Sequence, residues 1–204
     1  MSEFEPDVVH LLVGVARGSR LDGIRAQRPD ARENAQKSYL ALFAPKFPGD
    51  VSGETRYAVA AFVAGLHGDA ATLAFYRDGL AGQDEHPGIV GAVDDEVARG
   101  AARGPYGRYP KGPLSVEDKT GPIYRVAEAN RPILGARLSA ALEHAHLLVF
   151  RPRDASPAAL QSLLDVGWST TDIVTLSQLV AFLSFQIRVI VGLRALAAAA
   201  DGNA

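Results

Sequence analysis

The residues best suited to chemistry lie at a break between two apolar helical segments. His67 stands before a Gly-Asp pair, and Asp69, Thr72 and Tyr76 follow with spacings of i, i+3 and i+7. On a helix that begins at Asp69, these three side chains project from one face. A carboxylate, a hydroxyl and a phenol beside an imidazole could bind a small polar ligand or transfer a proton. The pattern therefore predicts His67, Asp69 and Tyr76 as catalytic residues, with Thr72 as a ligand-binding residue.

The same residues also have a structural interpretation. An aspartate at a helix start accepts hydrogen bonds from the free N–H groups of the first turn, so capping alone accounts for Asp69. Thr72 and Tyr76 could simply pack, and a histidine such as His67 is more often hydrogen-bonded and partly buried than catalytic. Capping is the simpler interpretation, and the sequence leaves both open.

Two further polar groups call for an explanation. Arg188 lies inside the most apolar segment of the chain, where a charge should be paired or should line a cavity. Pairing with an acidic residue across a subunit interface is the default, and binding a ligand carboxylate is the alternative. Glu143, His144 and His146 look like a metal cluster, but histidines two positions apart diverge by about 160° on a helix. The Glu143-x-x-His146 spacing would need a second such motif to hold a di-iron site, so we predict a Glu143–His146 pair at the surface, no metal and no cofactor.

The composition limits the classes of function. The 204 residues include 21 basic and 23 acidic side chains without long runs, giving a net charge of -2. No basic surface for nucleic acid is therefore expected. The chain contains no cysteine, which excludes thiol nucleophiles, disulfides, thiolate metal sites and dithiol redox cycles.

The sequence also argues against export and membrane insertion. The first residues are acidic, unlike the basic start of a secretory signal. The apolar segment 173–200 is interrupted by several polar or charged residues, including Gln186, Arg188 and Arg194, which a membrane span would not tolerate easily. We therefore expect a soluble cytoplasmic protein.

Periodicity and capping signals predict helices throughout, and no segment alternates with period two as a strand would. The fold class is therefore all-α, in a single domain spanning 1–204. A first half covers about 20–103, a Gly- and Pro-rich crossover loop covers 104–122, and a second half covers 123–200. The predicted helices are a short one from Pro6 to Gly18, 31–44 with a capping box at Asp30 and Glu33, one capped by Ser52, 70–80 capped by Asp69, 87–103, one capped by Asn130, 156–164, and 170–199 with a capping box at Ser169 and Asp172. The last would be about 45 Å long, which favours a subunit interface.

The two halves share a faint internal repeat. When Ser52 is aligned with Ser169, VAGLHGD pairs with VAFLSFQ, and an upstream YLALFAP pairs with HLLVFRP. Each copy is an apolar helix, a polar connection and a capped second helix, which indicates a duplicated helical unit. The crossover loop between the copies is expected to be ordered and could cover a pocket.

The segments VSGETRYAVAAFVAGLHGD and LLDVGWSTTDIVTLSQLVAFLSFQIR resemble the alkylhydroperoxidase-like, or carboxymuconolactone decarboxylase, superfamily in its two-copy, peroxidase-related form. The resemblance implies a helical bundle of two pseudo-equivalent halves. It also implies assembly into dimers, trimers or hexamers through the long helices. A homo-oligomer joined by the C-terminal helix is therefore expected.

The chain departs from that family where the chemistry lies. Redox members carry Cys-x-x-Cys after the break, a later histidine and an upstream glutamate. By the resemblance, the cysteine positions fall at Asp69 and Thr72 and the histidine at Tyr76. The glutamate falls at or near Tyr57, with Glu54 one turn earlier, so Glu54, Tyr57 and Arg188 join Thr72 as ligand-binding candidates. A thiol-dependent peroxidase is excluded because the thiols are absent.

Two functions follow from these observations. The first is a non-redox enzyme of the carboxymuconolactone decarboxylase type that transfers protons on a small organic acid or lactone. The second is a non-catalytic oligomer that keeps the fold and binds a small molecule or a partner protein. In the first, His67, Asp69 and Tyr76 would transfer the protons. A pocket bounded by His67 and Tyr76 would favour it, and tight packing without a cavity there would exclude proton transfer by these residues.

Overall fold

The structure, a computed structural model, describes residues 7–83 and 86–201, so the predicted helix start at Pro6 lies outside the described residues. The described residues form α-helices, two short 3-10 turns and no strand, and the all-α prediction is confirmed. The helices are α1 Val8–Val13, α2 Arg20–Ala26, α3 Pro29–Phe43, α4 Gly53–His67, α5 Ala70–Ala81, α6 Ile89–Gly100, α7 Arg131–Phe150, α8 Pro157–Leu164 and α9 Thr170–Asp201.

Several helices begin at the predicted capping residues. The Ser52 hydroxyl accepts a hydrogen bond from the Thr55 N–H at 3.2 Å, and the Asp69 carboxylate accepts one from the Thr72 N–H at 2.8 Å. The predicted capping box at the head of α9 is confirmed, because Ser169 and Asp172 each accept a hydrogen bond from the other's backbone N–H. These side chains satisfy N–H groups that a helix start leaves without a partner.

Two predicted caps are wrong. The α3 helix begins at Pro29 after an uncapped Arg28, so Asp30 lies within its first turn and not at its N-cap. Proline fits this first position because it has no N–H to leave unpaired. Asn130 does precede α7, but its side chain makes no capping bond and binds Glu96 instead.

The α4 helix lies at the centre of the core and contacts α5, α6, α7 and α9. Its residues from Ala58 to Ala64 are all buried, and the four alanines among them let neighbouring helices approach closely. Gly65 packs against α6, where an added Cβ would lie 2.3 Å from a methyl group of Val97. Gly68 ends α4 in the left-handed region with φ of 72°, a conformation that favours glycine. The two glycines therefore provide a close helix contact and a break, respectively.

A buried carboxylate joins α6 to the segment that leads into α7. Glu96 is fully buried and accepts hydrogen bonds from the Tyr124 hydroxyl at 2.6 Å, the Asn130 amide at 2.7 Å and the Ala127 N–H at 3.0 Å. Burial alone would raise the pKa of Glu96, but these donors hold it below its ordinary value. The carboxylate thus ties residues before the crossover loop to residues after it.

The crossover loop 104–122 contains ordered local structure. Gly107 and Lys119 form an isolated antiparallel bridge, and a 3-10 turn covers Pro113–Glu117. The loop runs along the C-terminal end of α7, where the Tyr106 N–H donates to the Phe150 carbonyl at 2.7 Å. None of the three cavities described below is lined by residues 104–122.

The two halves differ in their helix organisation. In the first half, Gly68 separates α4 from α5, whereas α9 runs without a break through the equivalent residues. The internal duplication therefore stays a prediction. Two described helices, Arg131–Phe150 and Thr170–Ala199, are long and apolar enough to cross a membrane by length and composition alone. Core helices of soluble proteins meet the same criterion, so the cytoplasmic localisation also stays a prediction.

Candidate functional site

Asp69 is held by the helix that it caps and by α9. One carboxylate oxygen accepts from the Thr72 N–H, and the other binds the Arg194 guanidinium at 2.6 Å. Arg194 also donates to the Leu12 carbonyl of α1 at 2.6 Å. Burial would raise the pKa of Asp69, but the bonds from Thr72 and the charge of Arg194 outweigh it and leave the pKa below its ordinary value. The carboxylate therefore caps α5 and links it to α9 through the ion pair with Arg194. The bond from Arg194 to Leu12 extends this link to α1.

Tyr76 is fully buried, and its hydroxyl donates to the Gln186 side-chain oxygen at 2.5 Å. Its ring lies 5.0 Å from that of Phe43 and 6.5 Å from that of Tyr57. Burial raises the pKa of the Tyr76 phenol well above its ordinary value, so the phenol stays neutral near pH 7. Tyr57, a predicted ligand-binding residue, and Tyr76 lie in one aromatic cluster that is filled by protein side chains.

His67 ends α4, and its Nε2 lies 3.1 Å from the Ser184 hydroxyl of α9. Burial lowers its pKa, and the charge of Arg188 lowers it further, so the ring is neutral at pH 7. Ser184 and Gln186 are two positions apart and project from α9 in directions about 160° apart. His67 and Tyr76 therefore bind α9 through side chains on opposite sides of it.

Arg188 is exposed, whereas its apolar sequence context led us to expect burial. The stretch of α9 around it is covered by the rest of the chain on one face only, so an arginine on the other face reaches solvent without a buried partner. Three cavities of about 600, 400 and 340 Å³ open on the described part of the chain. None of them is lined by His67, Asp69, Tyr76 or Arg188.

The cavity of about 400 Å³ contains a carboxylate and imidazole pair. Glu54, in the first turn of α4, and His86, three residues before α6, are joined by a 2.7 Å contact from Glu54 Oε1 to His86 Nδ1. The Glu54 side chain is only 8% exposed, whereas that of His86 is 65% exposed. Glu54 Oε2 is buried and has no hydrogen-bond partner among the described residues. The cavity is lined by residues of three segments and Trp168: Asp50, Ser52, Glu54, Thr55, His86, Ile89, Pro132, Ile133, Leu134, Gly135, Arg137 and Leu138.

This contact fixes the tautomer of the neutral histidine ring. A carboxylate only accepts hydrogen bonds, so His86 Nδ1 carries the proton and donates it. In the neutral ring, Nε2 then holds a lone pair that can take a proton from another molecule. A carboxylate that orients an imidazole and stabilises its protonated form is a recurrent arrangement for general-base chemistry. The pair can therefore accept and return a proton at the edge of the cavity.

Arg137 provides a positive charge on the wall of the same cavity. Its guanidinium lies 3.8 Å over the Trp168 ring, and the indole N–H donates to the Arg137 carbonyl at 2.9 Å. No carboxylate of the described residues forms an ion pair with this guanidinium. Gly135, beside it, breaks the start of α7 with φ of 68° and ψ of 170°. The guanidinium is thus held by stacking, and its N–H donors, which bond no described residue, can bind an anionic group.

The cavity of about 340 Å³ contains the two histidines of α7. His144 Nε2 contacts the Ser177 hydroxyl at 3.0 Å, and His146 Nε2 donates to the Gly100 carbonyl at 3.0 Å. Both rings are buried, and burial lowers the pKa of both, so the expectation that His146 lies at the surface is wrong. Glu143 binds Arg125 and Arg131 instead of His146, whose ring is buried in the core. Within the described ranges, no group of three potential metal ligands comes together.

Sequence reasoning identified Glu54 only from its place one turn before Tyr57 and missed His86, Arg137 and Trp168 as its neighbours. Glu54 and His86 are 32 residues apart, and neither spacing nor periodicity connects them. The available signal was a histidine beside a Pro-Gly pair that precedes a helix.

Comparisons with protein-family models, curated proteins and solved structures gave no match. The fold and the site therefore define a class only: an all-α protein with a buried carboxylate that orients a solvent-exposed imidazole at a cavity. The resemblance to the alkylhydroperoxidase-like superfamily stays a prediction.

Proposed function

We propose that the protein is a non-redox enzyme of the carboxymuconolactone decarboxylase type, which transfers a proton on a small organic acid or lactone. The observation that carries the proposal is the 2.7 Å contact between the buried Glu54 carboxylate and the exposed His86 ring at a cavity. The proposal moves the proton-transfer site from the end of α4 to its beginning. It retains Glu54 in its predicted role as a ligand-site residue.

Each group has a defined part in this reaction. Arg137 binds the carboxylate or lactone carbonyl of the substrate through its free donors. His86 Nε2 takes a proton from the carbon next to that group, and Glu54 stabilises the imidazolium that forms. The same proton, or one exchanged with water, then returns to the substrate carbon. No electrons leave the substrate, which is consistent with a chain that has no cysteine.

Proton exchange at carbon tests the proposal directly. A panel of small carboxylic acids and lactones in D₂O is followed by proton NMR for loss of the signal next to the carbonyl group. We expect exchange with the native protein and its loss in Glu54→Gln and in His86→Ala. Glu33→Gln, at an exposed ion pair with Lys37, is the matched control and should exchange normally.

His67→Gln distinguishes the two ends of α4. If His67→Gln abolishes exchange while His86→Ala leaves it intact, the chemistry belongs to the originally predicted residues and the present proposal is wrong. If some compounds of the panel bind but none exchanges a proton, the enzyme proposal is wrong and the second candidate function is supported.

The second candidate is a non-catalytic oligomer that binds a small molecule or a partner. It is favoured by the internal pairing of Asp69 with Arg194, Tyr76 with Gln186 and His67 with Ser184. It is also favoured by the apolar residues that α9 exposes. In either case we propose a cytoplasmic homo-oligomer joined through α9, with neither a membrane nor nucleic acid as partner. Sedimentation velocity tests the assembly, and calorimetric titration with the panel tests binding without turnover.

A further inference from the structure

The cavity of about 600 Å³ contains two buried charges that do not pair with each other. It lies between the end of α3, the turn before α4 and the first turns of α9. Arg56 and Asp172 both line it, at 4% and 5% exposure respectively. No ion pair of the described residues joins them. The cavity shares no lining residue with that of Glu54 and His86, so it is a separate candidate site.

The Arg56 guanidinium keeps donors for a ligand anion. It donates to three main-chain carbonyls between the end of α3 and the start of α4, those of Leu42 at 2.8 Å, Pro48 at 2.8 Å and Val51 at 2.9 Å. A guanidinium has five N–H groups, so two remain for a ligand. Burial lowers the pKa of Arg56, and no carboxylate of the described residues offsets this, but arginine stays protonated at pH 7. A ligand carboxylate would balance this buried charge.

The Asp172 carboxylate likewise keeps one oxygen for a ligand cation. Its Oδ2 accepts a hydrogen bond from the Ser169 N–H at 2.9 Å and another from the Ser169 hydroxyl at 2.6 Å. Its Oδ1 bonds no described residue and lies beside the turn at Gly49, where an added Cβ would be 4.0 Å from it. Gly49 also lines the cavity. An ammonium group has three donors, so it could bond Oδ1 and balance the carboxylate charge.

The remaining lining favours a ligand with an apolar body. Three phenylalanines line the cavity. Phe182 is 9% exposed, Phe185 is 48% exposed and Phe47 is 83% exposed. A large apolar group placed among these rings would cover apolar surface that now faces water. The volume of about 600 Å³ also falls within the range of small-molecule sites, about 300–1,000 Å³.

We infer that this cavity binds a zwitterionic amino acid with a large apolar side chain. Arg56 binds its carboxylate, Asp172 binds its ammonium group, and the three phenylalanines contact its side chain. A simple carboxylic acid would leave the Asp172 charge unbalanced, and a simple amine would leave the Arg56 charge unbalanced. Only a ligand with both charges satisfies both buried groups.

Calorimetric titration with four ligands tests this assignment. L-phenylalanine should bind. Phenethylamine, which lacks the carboxylate, and 3-phenylpropanoate, which lacks the ammonium group, should each bind at least about tenfold more weakly, because each loses its bonds to one buried charge. Glycine has both charges but no side chain, and it should also bind at least about tenfold more weakly, because it covers none of the phenylalanine rings.

Asp172→Asn separates ligand binding from folding. Asparagine keeps an oxygen for the Ser169 bonds but removes the charge. The variant should bind L-phenylalanine about tenfold more weakly than the native protein does. It should bind 3-phenylpropanoate no more weakly, because that acid makes no bond to Asp172. A general loss of structure would weaken both ligands. Arg56 is unsuitable for replacement, since its three carbonyl bonds hold the turn before α4.

Ala41→Trp tests the location of the ligand. Ala41 is exposed and lines the cavity, so an indole there fills ligand volume without entering the core. The variant should lose L-phenylalanine binding. Ala74→Trp, exposed on α5 outside the cavity, is the matched control and should bind L-phenylalanine as the native protein does. The helical circular dichroism spectrum of both variants should be unchanged.

Three results would overturn the assignment. One is the absence of L-phenylalanine binding at about 1 mM ligand. Another is equal affinity of the native protein for L-phenylalanine and 3-phenylpropanoate, which would make the cavity a site for simple carboxylic acids. The third is unchanged binding in Ala41→Trp, which would place the ligand elsewhere on the protein. Binding of L-phenylalanine and proton exchange at His86 are measured independently, so either can fail while the other succeeds.

Discussion

The two ends of α4 carry similar residue types but differ in whether those residues are paired with other side chains or face a cavity. At the C-terminal end, His67 and the nearby Asp69 and Tyr76 are each bound by a different side chain of α9. At the N-terminal end, Glu54 binds the Nδ1 of His86, and the Nε2 of that ring makes no hydrogen bond to a described residue. A shared helix face is therefore not enough to make a site. What matters is whether a polar atom remains available beside an open volume.

The difference has a physical origin in α9. This helix passes over the C-terminal end of α4 and α5, and its Ser184, Gln186 and Arg194 bind the side chains there. The N-terminal end of α4 instead faces the start of α7, where the Gly135 break leaves an open volume. Buried polar groups that are paired stabilise the fold, and a group with a free lone pair at a cavity can act on a ligand.

The largest effect is expected from Tyr76→Ala. Removal of a fully buried aromatic side chain should lower the free energy of unfolding by about 3–5 kcal/mol, measured by urea denaturation. Tyr76→Phe keeps the ring but leaves the Gln186 oxygen unpaired, which should cost about 1–3 kcal/mol. A loss below about 1 kcal/mol for the alanine variant would show that this end of α4 is not structural.

Asp69→Ala should have the next largest effect. Loss of the helix cap costs about 0.5–2 kcal/mol, and the partly buried Arg194 also loses its ion pair. Asp69→Asn is the matched control, because an asparagine oxygen can still cap α5 while the charge is removed. Thermal unfolding followed by circular dichroism should give the highest Tm for the native protein, a lower Tm for Asp69→Asn and the lowest Tm for Asp69→Ala. Equal stability of all three would indicate that Asp69 is free to serve a ligand.

Acidification should destabilise the protein below about pH 6.5. Burial lowers the pKa of His67, His144 and His146 in the folded state relative to the ordinary 6.5. As the pH falls through 6.5, the unfolded chain binds protons that the folded chain does not, so stability is lost. The slope has an upper limit of about 1.4 kcal/mol per pH unit for each histidine. Urea unfolding at pH 7, 6 and 5 measures it, and His144→Gln should give a shallower slope than the native protein.

The smallest change in stability is expected at the other end of α4. His86→Gln removes the mostly exposed imidazole but keeps a side-chain N–H that can donate to the buried Glu54 carboxylate, so the free energy of unfolding should change by less than about 1 kcal/mol. The same variant should nevertheless lose the proton exchange of the native protein. Urea denaturation and the NMR exchange assay on one preparation give both values. A large loss of stability with proton exchange intact would show that His86 supports the fold and does not transfer the proton.

Local signals made most of the helices predictable. The caps at Ser52, Asp69 and Ser169 depend on residues within one turn of each other, and periodicity over ten or more residues defined the helix faces. Asn130 was misassigned as a cap because its amide binds a carboxylate 34 residues earlier in the chain. Capping rules describe the local competition for a side chain and contain nothing about such distant partners.

The site was less predictable than the fold for the same reason. The pairing of Glu54 with His86 depends on how α4, α6 and α7 meet, which no local pattern encodes. The exposure of Arg188 depends on which face of α9 the other helices cover, and an apolar helix does not reveal this in its sequence. The family resemblance put Tyr57 and Tyr76 in one candidate site, but it could not show that aromatic rings fill the volume between the helices.

The Glu96 carboxylate couples the two halves of the chain during unfolding. Since its acceptors hold Tyr124, Ala127 and Asn130 from across the crossover loop, neither half can open without exposing a buried anion. Denaturation should therefore be a single cooperative transition. Tryptic cleavage within 104–122 should leave the two fragments bound to each other until denaturant is added.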